Sequence, residues 1–321
     1  MDGLLIIDKP AGMTSHDVVS RVRRVLRTKR VGHTGTLDPF ATGVMVLLIG
    51  NATRLARFLD KDAKEYIAEV RFGFETDTGD NTGRRKAEGE GRNEEIVGKL
   101  NATDWEGVFE KFRGQIMQTP PMYSAKKIEG KKLYELARQG KEIERKPARV
   151  SIHELKLLAH EDSPPSRDEG VAAASPGTVV GSKGVNTAIR IRVVCSAGTY
   201  IRTLAEDIGR EIGVGAHLTN LRRTAAGKFD LQQSLTIEDL KNLEEPESAL
   251  LPLQLAVAHL PEFALPDDRI GPTKNGLASR IEGEKYGAGE FVRMTLSGGN
   301  LVAVGLYDHD EKVIRPKVVL I

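Results

Sequence analysis

The sequence predicts a protein in two parts, a large domain mixing helices and strands and then a small β domain. Three observations predict it. At 321 residues the chain exceeds what one small core organises. Up to about Leu250, apolar residues recur at both helical and strand periods. Beyond it, Pro252, Pro261, Pro266 and Pro272 punctuate short pieces, and Phe291 to Met294, Leu301 to Leu306 and Val313 to Leu320 read as strands, with Ser297 to Asn300 as a turn. The division falls between 1–249 and 250–321, the second part being roughly 70 residues, enough to sustain a core.

Taken in order, Leu4 to Ile7 is a short buried strand, ended by the turn Asp8-Lys9-Pro10-Ala11-Gly12. Ser15 is the expected N-cap of a helix with Asp17 in its first turn. Val18, Val22, Val25 and Leu26 form its apolar face, while Arg21, Arg24 and Arg27 lie off it. From Val31 to Gly43 the periodicity stops: Gly32, Gly35 and Gly43 permit unusual backbone angles, and Pro39 holds Asp38 away from helical ones. Val44 to Ile49 is buried again. Tyr66, Ala68, Val70 and Phe72 alternate as one face of a strand, and the polar stretch Glu75 to Gly83 is a loop. Trp105 to Phe112 and Leu133 to Gln139 read as helices, with Gln118 to Ser124 extended between them because of Pro120-Pro121. The Ser-, Pro- and Gly-rich segment 160–186 is a mobile excursion. Ile189, Ile191 and Val193 form a strand. Thr199 then caps a helix containing Leu204, Ala205, Ile208 and Ile212, with Arg202 in its first turn, and Thr236 starts another. There is no internal repeat.

The composition, 40% hydrophobic and 29% charged, is that of a globular protein. No apolar run approaches the ~20 residues of a membrane span, and the N-terminus lacks the basic leader of a signal peptide. The single cysteine, Cys195, excludes an internal disulfide and a cysteine-rich metal site, and a cytoplasmic location is expected. The net charge of +2 hides basic clusters at Arg21 to Arg30, Lys126 to Lys132 and Arg222-Arg223. One such cluster alone is a solvated face; several together fit a polyanion binder.

Asp38 is the sharpest chemical candidate. An aspartate before proline commonly caps backbone amides in a turn. Here glycines, a histidine, two threonines and a proline converge on one carboxylate between apolar elements, which favours a nucleophile. Arg202 can supply a neighbouring cation, although pairing with Glu206 four residues on is equally compatible with the spacing. Tyr66 and Tyr200 can stack on a base or simply pack, and His33 can wedge or be an ordinary loop residue. No His/Glu pair has metal-ligand spacing, no phosphate-binding Gly-Lys-Ser/Thr ending follows the glycines, and Cys195 reads as inert packing.

Four stretches together resemble the TruB family of tRNA pseudouridine synthases: Leu5 to Ser15, Gly32 to Gly43, Gly198 to Leu204, and Gly215 to Leu218 with Leu221-Arg222-Arg223. Pro121 to Ala125 and Lys131 to Tyr134 add a fifth. The resemblance implies an α+β pseudouridine synthase core with a mixed, largely antiparallel sheet, and a small C-terminal PUA-like β-barrel that binds RNA. It implies conversion of uridine 55 in the T-loop of tRNA to pseudouridine, with the base flipped out and with neither metal nor cofactor. By position, Asp38 would be the catalytic aspartate, Tyr66 the tyrosine against the base and Arg202 the partner of the aspartate. Tyr200 and Leu221 would line the pocket, Lys9 would support it, and His33 would help evict the uridine. Residues 123–140, with Lys126, Lys131 and Lys132, would grip the T-arm. Two stretches depart from the family pattern, the long 160–186 excursion and the tail, which matches only around 298–308. A guide-dependent relative working with accessory proteins is the rival enzyme, and a catalytically idle RNA chaperone the rival of another class. The context of Gly3 to Asp8 favours a stand-alone enzyme, a monomer without guide RNA or obligate protein partner.

Overall fold

The structure, a computed structural model, describes residues 1–86, 93–124, 127–128, 131–141, 143–158, 187–283 and 285–321. Lys126 and the 160–186 excursion lie outside these residues, and for Lys131 and Lys132 only the backbone is described.

The chain opens with β1 (Gly3–Lys9), α1 (Ser15–Val25), β2 (Val31–His33), β3 (Thr42–Ile49), the short α2 (Ala56–Leu59) and β4 (Lys64–Phe72). Helices α3 (Asn93–Ala102) and α4 (Trp105–Glu110) precede β5 (Gly114–Gln118). The small ribbon β6 (Lys127–Ile128) and β7 (Lys131–Lys132) leads into α5 (Leu133–Arg138). Then come β8 (Ala148–Leu157), β9 (Ala188–Cys195), α6 (Ile201–Ile212), β10 (Ala216–Ala226), β11 (Phe229–Asp230) and α7 (Ile237–Asn242). The tail holds β12 (Glu262–Ala264), α8 (Asp267–Lys274), β13 (Ser279–Arg280), β14 (Phe291–Thr295), β15 (Leu301–Asp308) and β16 (Val313–Val319).

Among the described residues nine strands form one sheet in the order β1-β3-β10-β4-β9-β8-β5, with β2 on β3 and β11 on β10. All its pairings are antiparallel except the short β10–β3 contact. The run Val44 to Ile49 is continuously apolar because both faces of β1 and β3 are covered. Leu5, Ile7, Met45, Leu47 and Ile49 pack under α1 and α7, while Leu4, Ile6, Val44, Val46 and Leu48 face the other way, toward the tail. Tyr66, Ala68, Val70 and Phe72 point into a third core beneath α4 and α6. The tail forms a curled five-stranded sheet, β12-β14-β15-β16-β13, the PUA-like half-barrel that was expected.

Two caps differ from expectation. The N-cap of α1 is Thr14, which makes a reciprocal capping box with Asp17, and Ser15 is the buried first helical residue. The N-cap of α6 is Tyr200, without a side-chain cap bond, while the Thr199 hydroxyl donates to the Ser196 carbonyl. In the tail, α8 forms despite Pro272 within it; Pro272 marks a punctuated segment in the sequence but here lies inside a helix. Arg222 and Arg223 are no solvated cluster: Arg222 pairs with Asp8 at 2.7 Å, and Arg223 is buried.

Candidate active site

The loop from Thr34 to Ala41 leaves the sheet where one edge of β3 changes neighbours. Along that edge β2 pairs with Leu47 to Ile49 and β10 with Thr42 and Gly43, leaving a gap at Val44 to Val46. Carbonyls in the gap still need donors. The Thr34 amide donates to Val46 O at 3.1 Å, and the Arg223 Nε donates to Val44 O at 2.6 Å. The loop therefore starts from a backbone already pinned by β3.

Three further clamps fix the loop around Asp38. The Ser15 hydroxyl accepts from the Leu37 amide at 2.9 Å and donates to the Leu37 carbonyl at 3.1 Å. The Gly12 amide and the Lys9 ammonium both donate to the Pro39 carbonyl, at 2.8 and 3.2 Å. Arg223 Nη2 donates to the Gly35 carbonyl at 3.2 Å. With the backbone held by other groups, the Asp38 carboxylate is left for other work. Among the described residues it accepts from Arg202 and from no backbone amide, so the turn-capping alternative does not describe it.

Arg202 meets Asp38 side-on, Nε to Oδ2 at 2.9 Å and Nη2 to Oδ1 at 3.2 Å. Its remaining donors reach the Thr78 and Tyr123 carbonyls, each at 2.7 Å, and Asp80 lies 3.9 Å away. Glu206 is occupied with Lys86 and Arg210, so the surface-pairing alternative for Arg202 fails. Although 32% of the Asp38 side chain is exposed, burial by its surroundings pushes its pKa above the usual aspartate value, opposed by Arg202 and reinforced by Asp80.

Asp38 opens into a cavity of about 260 Å³ lined by Tyr66, Tyr200, Arg202, Leu221, Lys64 and Arg223. Tyr66 and Leu221 lie on neighbouring strands, and Tyr200 is held through its backbone by the buried Gln118, which accepts from its amide at 2.7 Å and donates to its carbonyl at 3.0 Å. Burial raises the Tyr66 pKa, and the adjacent Arg223 opposes that rise. A larger groove, about 870 Å³, runs along Ile67 and Glu69, which alternate with Tyr66 and so lie on the opposite face of β4.

Two predicted site residues sit outside the cavity lining. Lys9 is fully buried and donates to the Pro10, Met13 and Pro39 carbonyls; burial brings its pKa down to about 8, with Asp38 opposing. His33 closes β2 beside the loop, and burial, then Arg223, lowers its pKa, leaving the ring neutral at pH 7. Sequence reasoning missed Asp80, Lys64 and Arg223 as site groups. Asp80 is buried in the Glu75 to Gly83 loop, where its carboxylate accepts from Thr78, from the Thr82 amide and from the Thr82 hydroxyl. The repeated Thr/Asp pattern of that loop was the available signal. Among the described residues no cluster of His, Cys, Asp and Glu could hold a metal, and no helix is long and apolar enough to cross a membrane.

A carboxylate–guanidinium pair in a cavity over a mixed sheet, with a small β unit behind it, defines a class. Over 99% of its length the chain matches a chain of an H/ACA ribonucleoprotein bound to a substrate RNA containing 2′-deoxyuridine, with a TM-score of 0.67, 24% identity and 85% of that chain covered. A chain of a Cbf5-Nop10-Gar1 complex matches with a TM-score of 0.66 at 25% identity, again over 99% of this chain and 85% of the other. The fold is that of a pseudouridine synthase. Residues 23–201 match the model of the TruB family pseudouridylate synthase N-terminal domain, and residues 202–258 that of the tRNA pseudouridylate synthase B C-terminal domain. The chain belongs to the TruB family. Relatives named tRNA pseudouridine synthase B include those of Heliobacterium modesticaldum, 41% identical over 92% of this chain and 87% of the relative, and Solibacter usitatus, 40% identical over 95% of each.

Proposed function

We propose that this enzyme isomerises uridine 55 in the T-loop of tRNA to pseudouridine, flipping the base into the Asp38 cavity and using that aspartate as nucleophile without a cofactor. The observation that carries the reading is the Asp38–Arg202 pair opening into a cavity shared with Tyr66 and Leu221. The family membership and the name borne by its relatives supply the reaction and the substrate class.

Isomerisation breaks the C1′–N1 bond, turns the base and rejoins it through C5. A stacked base cannot turn, so it is extruded at a cost of a few kcal/mol. Arg202 keeps the Asp38 carboxylate ionised against burial and fixes its direction. Tyr66 and Leu221 provide a flat slot for the uracil, with Tyr200 at its side. Lys9 braces the loop through Pro39, and His33 stands beside it where the flipped base leaves its stack. Residues 123–140, with Lys126, Lys131 and Lys132, supply salt-sensitive phosphate contacts, and residues 250–321 form the PUA-like RNA-binding domain. Relatives named as tRNA enzymes are about 40% identical, against 24–25% for the ribonucleoprotein chains, which favours tRNA recognised without a guide; the proposed enzyme acts as a monomer without an obligate protein partner.

The test is tritium release from an unmodified tRNA carrying tritium at uridine C5. Joining C1′ to C5 displaces that hydrogen, so release is expected from the T-loop position in the absence of any cofactor. Binding without release would leave an RNA chaperone in place of an enzyme.

A further inference from the structure

Below the Asp38 cavity lie two buried cations that the mechanism has not used. Lys64 is 6% exposed and Arg223 1%. They converge on one spot: a methyl group added at Gly35 would stand 3.5 Å from Arg223 Nη1 and 3.8 Å from Lys64 Cε. The sheet itself puts them there. Arg223 sits on β10 directly opposite Tyr66 of β4 and beside Gly43 of β3, next to a bulge, and Lys64 begins β4 one pleat before Tyr66. Neither makes an ion pair among the described residues. Arg223 gives donors to the Val44 and Gly35 carbonyls, and Lys64 gives two of its three to the Asp62 and Asp60 carbonyls. The Asp60 and Asp62 carboxylates act on Lys64 only from beyond ion-pair distance.

Buried charges are normally compensated, because leaving water is costly. Arg202 is matched by Asp38 in the cavity wall, whereas Lys64 and Arg223, held by carbonyl dipoles, face only the more distant Asp60 and so leave that side of the cavity with positive potential. We propose that Lys64 and Arg223 are the electrostatic counterpart of the uracil ring while it is detached, holding the negative charge it carries between leaving and rejoining the ribose. This deepens the uridine-isomerase reading above and rests on it.

The electron count gives such a group a role. As the Asp38 carboxylate takes C1′ and the C1′–N1 bond breaks, the bond's electron pair stays on the ring, and one negative charge spreads over N1, O2, O4 and C5. When C5 attacks C1′ the ring supplies the pair of the new C–C bond, the C1′–O bond to Asp38 breaks, and the charge returns to the carboxylate. A proton then leaves C5 and one is taken up at N1, so the product is an isomer of the substrate. The charge exists only between the two bond events, in a partly buried cavity, where a fixed cation acts more strongly than in open water. Arg223 is the cross-strand partner of Tyr66, and the Tyr66 phenol is a neighbour that Arg223 acts on directly.

Lys64→Gln keeps a hydrogen-bond donor for the Asp60 and Asp62 carbonyls and removes the charge. Its single-turnover rate on uridine-containing T-arm RNA should fall about 100-fold, with RNA affinity in filter binding and the thermal transition little changed; Lys64→Arg should recover most of the rate. The same RNA with 5-fluorouridine at the target distinguishes charge from shape. Fluorine withdraws electrons from the ring, so consumption of the fluorinated base should suffer much less from Lys64→Gln. A wild-type rate in Lys64→Gln, or an equal deficit with both bases, overturns the proposal. If Lys64→Gln does not fold, Asp60→Asn tests it from the other side: removing the carboxylate that offsets Lys64 should raise the uridine rate, and a fall refutes the assignment. Wild-type enzyme run alongside separates the two readings, since absence of wild-type turnover indicts the isomerase reading itself.

Discussion

Asp38 carries a conflict that can be measured. Burial raises its pKa, and Arg202 opposes the rise without cancelling it. A carboxylate whose folded pKa lies above its unfolded value holds its proton more tightly in the native state. Ionisation above that pKa therefore costs stability, and protonation on the acid side relieves the cost. The nucleophile, however, must be ionised. Single-turnover rate should thus fall on the acid side at a higher pH than a free aspartate near ~3.9 would give, while protonation of this group itself contributes no loss of stability. Asp38→Asn should abolish turnover, bind RNA nearly as wild type, and melt at or above the wild-type temperature; measurable turnover would remove Asp38 from its role. At this scale the sequence was legible where a residue type is rare in its setting, as with Asp38 in its glycine-rich loop. It was illegible for Asp80, Lys64 and Arg223, because their importance comes from strand register and from a loop returning 42 positions later in the chain. Arg222-Arg223 shows the limit well: two adjacent cations read as one surface patch, but on a strand they point to opposite faces, one to Asp8 and one under Tyr66.

Between residues and fold, the first turn of α1 does two separable jobs one residue apart. Thr14 caps the helix, and Ser15 ties the helix to the backbone of Leu37, the residue before Asp38. Cap chemistry placed a helix start there from sequence alone, and missed by one position because both residues are good caps. What patterning does not encode is that the second hydroxyl faces a loop rather than water. The two jobs predict opposite signatures. Thr14→Ala should cost about 1 kcal/mol of stability and leave single-turnover rate intact. Ser15→Ala strands the Leu37 amide and carbonyl, at about 1–3 kcal/mol, and should also lower the rate at saturating RNA by loosening Asp38. Denaturant unfolding and single-turnover kinetics on the pair decide it; equal kinetic behaviour would show that the loop is held well enough by Pro39 and Gly35.

At the scale of the molecule, the change of texture near Leu250 pointed to a tail of short strands but not to its relation to the rest. Hydrophobic patterning states that a face is covered, never by what. Here Leu301, Val304, Val318 and Leu320 of the tail share one core with Leu4, Ile6, Val44, Val46 and Leu48 of β1 and β3. Phe58 meets Phe291 edge-on at 5.1 Å with Arg57 over both rings, and Asn51 and Arg54 donate to the Leu320 and Val319 carbonyls. β3 is also the strand from which the Asp38 loop departs, so the tail covers the back of the element that positions the site. Each buried Leu, Ile or Val exposed by removing the tail costs about 1.5–3 kcal/mol, and several together reach the ~5–15 kcal/mol that holds a typical protein folded. A chain ending at residue 258, where the family model ends, should therefore fail to accumulate in soluble form or lose amide-exchange protection along β1 and β3. The full chain should melt in one calorimetric transition. A soluble 1–258 fragment with the full-length melting temperature and single-turnover rate would show instead that the tail is an appended RNA-binding unit, and that the core it shares with β1 and β3 contributes little to holding Asp38 in place.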